Sequence, residues 1–75
     1  MPNIGEYAES VYYSHGLTHM MQLNALRQYL KTTQVDQLIK EIKAIRNPDY
    51  LRSLWEAGLS LPLQEAVMAR LGELT

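Results

Sequence analysis

"NPDYLRSLWEAGLSLPLQEAVMARL", Asn47 to Leu71, holds two helix starts separated by a glycine stop. Asn47 is a good N-cap, Pro48 occupies the first helical position where its missing amide proton costs nothing, and Asp49 faces the positive end of the helix dipole. Leu51, Leu54 and Trp55 recur at helical spacing and form the expected buried face, and Gly58 ends the segment. Ser60 then caps a second helix, with Pro62 in its first turn and Leu63, Ala66, Val67, Leu71 and Leu74 along one side. Helix, break, helix is the plan of a helical hairpin.

The upstream chain follows the same rules. Val35, Leu38, Ile39, Ile42 and Ile45 make the cleanest apolar stripe, with Asp36 and Lys40 one turn apart in the favourable acid-before-base order. A helix from Thr18 to about Lys31 carries Met20, Leu23, Leu26 and Leu30 on one side, and Thr32-Thr33 breaks it. Asn3, with Glu6 in the capping-box position, starts a Tyr-rich first helix stopped by Gly16. No segment alternates with period two. The expected fold is all-α: one domain over residues 1–75, a small bundle of four to five short helices. Residues 17–46 and 47–75 are expected to form two antiparallel hairpins, with helix 1–16 peripheral.

The bulk properties narrow the function classes. A chain of 75 residues buries only about 60% of the surface its unfolded form exposes, so its core gives marginal stability. Small scaffolds gain stability from disulfides, a metal or a partner. With no cysteine, disulfides and thiolate zinc sites are excluded, which leaves self-association or docking on a larger assembly. The net charge of −1 gives no overall basicity for nucleic acid, and no apolar run is long enough to span a membrane. The first residues lack the features of a signal peptide, so the expected setting is cytoplasmic.

Residues 44–74, "AIRNPDYLRSLWEAGLSLPLQEAVMARLGEL", resemble one hairpin of the HEAT or armadillo-like helical repeats. Ala66 takes the small-residue place, Val67 and Leu71 the core places of the second helix, and Leu51 and Leu54 those of the first. The turn Gly58-Leu59-Ser60 lacks the family's usual aspartate, and the chain holds at most two such units. What the resemblance implies is protein binding and no chemistry. A DNA-reading helix-turn-helix fits the same stretch less well. Its reading helix, Leu61 to Glu73, would offer Arg70 against Glu65 and Glu73, a surface that repels phosphate.

Candidate site residues fall into two groups. Tyr7, Tyr12, Tyr13, Met20 and Met21 form the candidate protein interface, because tyrosine joins a wide apolar ring to a polar tip and methionine adapts to irregular surfaces. Arg27, Lys31, Lys40, Lys43 and Arg46 form the candidate anion-binding face, in a segment where six bases up to Arg52 meet three acids. That segment supports an alternative reading, a nucleic-acid-associated regulator. His15 and His19 are spaced as metal ligands on one helix, but Gly16 and Thr18 interrupt them and no third ligand stands out, so no metal is expected. Ser14 beside His15 is the one nucleophile and base pair, with no glycine-rich loop to hold a phosphate. No cofactor, small molecule or catalytic residue is expected. The expected function is a noncatalytic protein-interaction or regulatory module.

Overall fold

The computed structural model describes residues 2–75, and every regular element among them is helical. Helix α1 spans Ile4–Tyr13, α2 Gly16–Thr32, α3 Val35–Ala44, α4 Pro48–Ser53 and α5 Leu61–Leu74. The last turn after α4, Leu54–Ala57, tightens into a 3-10 helix. Two caps form as their residue types dictate: Asn3 Oδ1 accepts from the Glu6 N–H at 3.0 Å, and Asn47 Oδ1 from that of Asp49 at 2.9 Å. Gly58, at φ +81°, ends the 3-10 turn in a backbone region that side chains disfavour.

Two boundaries move from the sequence reading. Helix α1 ends at Tyr13, with Ser14 as its C-cap donating a side-chain hydrogen bond to the Val11 carbonyl. Gly16 is left-handed, at φ +58°, but it opens α2 instead of closing α1. The N-cap of α2 is therefore His15, not Thr18, and the helix gains a turn that carries Leu17.

The core is one cluster: Ile4, Ala8 and Val11 of α1, Leu23 and Leu26 of α2, Leu38, Ile42 and the following Ile45 of α3, Leu51 and Leu54, and Leu63 and Val67 of α5. Helix α1 is the hub, packing on α2, α3 and α4, whereas α5 lies mainly on α3. The first helix is therefore central, contrary to the peripheral placement expected for residues 1–16. Its small Ala8 and slender Val11 are fully buried, and those residues allow neighbouring helices to close around it. Helices α4 and α5 pack on each other, as the 47–75 hairpin requires. Helices α2 and α3 are consecutive and are joined by the Tyr29–Glu41 hydrogen bonds, while their most extensive packing is on α1 and on α5 respectively.

The apolar stripes are correct in their centres and frayed at their ends. Leu38 and Ile42 are buried while Val35 is exposed, and Leu23 and Leu26 are buried while Met20 is exposed. Trp55, expected in the core with Leu51 and Leu54, is 38% exposed. The switch from α to 3-10 winding explains it: at three residues per turn, Trp55 no longer follows Leu51 onto the inner face.

Candidate interaction surface

The five interface candidates do not stay together. Tyr7 is half-buried, its ring stacked on Tyr29 with centroids 4.8 Å apart. It belongs to the packing of α1 on α2, so its place in the candidate interface is withdrawn. Tyr29 in turn donates its hydroxyl to both oxygens of Glu41, at 2.7 and 2.9 Å. Burial, then the bond to Glu41, pushes the Tyr29 phenol up to about 12. Burial alone would push the Glu41 carboxyl up as well. Hydrogen bonds from Gln37, Tyr29 and the Ile4 backbone N–H outweigh it and hold the carboxyl below its ordinary value.

Tyr12 and Tyr13 stay near the surface, in an aromatic cluster with Tyr50. Their centroids lie 4.9 Å apart edge to face, and 5.8 and 6.1 Å from that of Tyr50. The Tyr12 hydroxyl donates to Asp49 Oδ2 at 3.3 Å, and the nearby carboxylate raises its pKa. The Tyr13 hydroxyl and the Glu9 carboxylate hold the Tyr50 phenol up to about 12. Tyr50 was missed as a partner in the sequence, because it lies far along the chain and only tertiary packing of α1 on α4 brings it in.

Met20 and Met21 form a separate surface. They are 53% and 69% exposed, and Leu17, one turn earlier, is 85% exposed. The positions i, i+3 and i+4 share one face of α2. From Gly16 to Leu26 the helix carries no Lys, Arg, Asp or Glu. Its titratable residue, His19, turns toward the 3-10 segment: Nε2 lies 2.6 Å from Glu56 Oε2, and Nδ1 2.9 Å from Ser14 Oγ. Leu17 was legible as part of this stripe once α2 is begun at Gly16 instead of Thr18.

Ser14, His19 and Glu56 follow the order of nucleophile, base and acid, with His19 in place of the adjacent His15. The Ser14 hydroxyl is directed at the Val11 carbonyl, and none of the three lines the molecule's groove. The set works as a staple joining the end of α1, the start of α2 and the 3-10 turn. His15 itself is exposed at the helix N-cap, and its carbonyl accepts from the His19 N–H.

The basic face divides. Arg27 and Lys31 line an open groove of about 220 Å³ with Leu30, Ala57, Gly58, Ser60 and Leu63. Arg27 is already engaged, its guanidinium 3.4 Å from the carbonyls of Glu56 and Ala57 and 3.3 Å from Asn24 Oδ1. Lys40, Lys43 and Arg46 are exposed on α3 and just beyond it, and none of them lines that groove. Proximity in sequence joined two sets of cations that the fold assigns to different elements. Comparison with protein-family models, with curated proteins and with solved structures gave no match.

Proposed function

We propose that this domain is a small protein-interaction module, noncatalytic, that docks through the N-terminal half of α2. The observation that carries the reading is the exposure of Leu17, Met20 and Met21 on one face of an uncharged helical segment. Single exposed apolar residues are ordinary on protein surfaces, but grouped ones mark contact sites. Met68 on α5 is exposed too, but Gln64 and Glu65 separate it from the exposed Leu61 two turns earlier, so no continuous apolar strip forms there. The protein binding implied by the HEAT-like pattern of residues 44–74 points the same way.

The alternative, a nucleic-acid-associated regulator, draws less support. Arg27 is bound to backbone carbonyls, and Lys31 on α2 with Lys40, Lys43 and Arg46 on and beyond α3 would have to supply the phosphate contacts without it. A photo-crosslinking residue placed at Met21, and in a second variant at Met68, tests the docking reading in the native cell. Protein adducts at position 21 and none at 68 are expected. Absence of adducts at 21, or equal yields at both positions, overturns it.

A further inference from the structure

We infer that the occupant of the α2 face is a second copy of this chain, paired across a two-fold axis that passes near Met20 and Met21. The inference rests on the docking reading above and names its partner. A two-fold interface sets each residue near the axis against its own copy, so the patch must tolerate itself. The faces of this domain differ in that respect. Lys40, Lys43 and Arg46 would meet a second set of cations. The Tyr12, Tyr13 and Tyr50 cluster has Glu9 beside it together with the ion-paired Asp49 and Arg52, so a two-fold axis there would bring the Glu9 carboxylates together. Like charges placed in register across an interface oppose it.

The outer face of α2 has no such conflict. Leu17, Met20 and Met21 continue into exposed Asn24 and Gln28, so the strip runs from apolar side chains to neutral amides. The side chain of His19 is already committed to Ser14 and Glu56. Lys31 lies about three turns from the axis and falls outside the closest contact. Methionine on methionine also suits an axis, because an unbranched thioether adjusts to its own image without one fixed rotamer.

The area sets the strength. A standard interface covers about 800 Å² per partner, which is roughly a sixth of the 4880 Å² this domain exposes. A strip along part of one helix is smaller than that, so the dissociation constant is expected to be about micromolar or weaker. Pairing is then controlled by local concentration, and neighbours in a larger assembly would raise it.

Sedimentation of the purified protein across a concentration series, with wild type beside M20E/M21E, tests the pairing. The wild-type mass is expected to rise from one chain toward two, while the double variant, with unchanged helical circular dichroism, stays at one. Disulfide trapping is the second measurement. The chain has no cysteine, so M21C carries a single thiol, expected to link copies about tenfold faster than M68C because only a residue near the axis meets its counterpart within bonding range. A wild type that stays at one chain, a double variant that associates equally, or equal trapping of M21C and M68C overturns the second copy. If that happens while Met21 adducts with a different protein form in cells, the docking reading stands and only its partner is replaced.

Discussion

Glu41 Oε1 on α3 accepts a 2.8 Å hydrogen bond from the backbone N–H of Ile4, 37 residues earlier in the chain. A carboxylate at the start of α1 satisfies a donor that the helix cannot satisfy itself, and it complements the dipole. The same carboxylate receives the Tyr29 hydroxyl from α2 and the Gln37 amide. One side chain thus fixes the relative positions of three helices.

Glu41→Gln is expected to destabilise the fold by about 1–3 kcal/mol, because charged acceptors are replaced by a single amide oxygen and a misplaced donor. The pH dependence follows from the direction of the shift. The folded-state carboxyl titrates below its ordinary 4.5, so its stabilisation is present above that pH and is lost as pH falls through the lower folded value. Denaturant melts from pH 7 downward should show an acid loss in the wild type that is smaller in the variant. Parallel curves would contradict this role for Glu41.

Tyr29 gives the opposite limb. Its phenol is raised from 10.0 to about 12, so the neutral hydroxyl stabilises the fold fully below pH 10. That contribution disappears as pH rises from 10 toward 12. Tyr29→Phe should lower stability at neutral pH and weaken the loss in that alkaline window. In an ultraviolet phenolate titration the variant should show one late-titrating tyrosine fewer than wild type, with Tyr50 still late in both.

Ile4→Ala is expected to cost about 2–5 kcal/mol, because Ile4 is fully buried against the other helices. Met20→Ala, on the exposed face, should stay within about 0.5 kcal/mol. Thermal or chemical melts of the two variants measure whether the first helix is a core element. Equal, small effects would return α1 to the periphery.

Two glycines predict opposite signs for the same substitution. Gly58→Ala forces a side chain into φ +81° and should destabilise by about 1–2 kcal/mol. Gly72→Ala lies within α5, with open space around the new methyl, and should stabilise by about 0.4–1 kcal/mol. Both are read from melting midpoints at one pH.

Local chemistry decided the elements. The caps at Asn3 and Asn47, the proline at the start of α4, the stop at Gly58 and the 3.6-residue stripes of Leu38, Ile42, Leu63 and Val67 act within a few residues of themselves, and each is visible in the order of amino acids. The start of α2 was misplaced by three residues because a left-handed glycine ordinarily follows a helix end, whereas Gly16 opens the next helix.

Tertiary structure decided everything that depends on which stripe meets which. The hub position of α1, the capture of Tyr7 by Tyr29, the Glu41 nexus and the Ser14–His19–Glu56 staple all join residues from different helices. The candidate surfaces followed from those choices: packing α1 between its neighbours used up Tyr7, left Leu17, Met20 and Met21 outward, and divided the cations between α2 and α3. Helical periodicity says that a face is apolar. Which apolar residues are covered depends on how many partners a small core can supply, and here α2 is covered at Leu23 and Leu26 while its N-terminal face is left open.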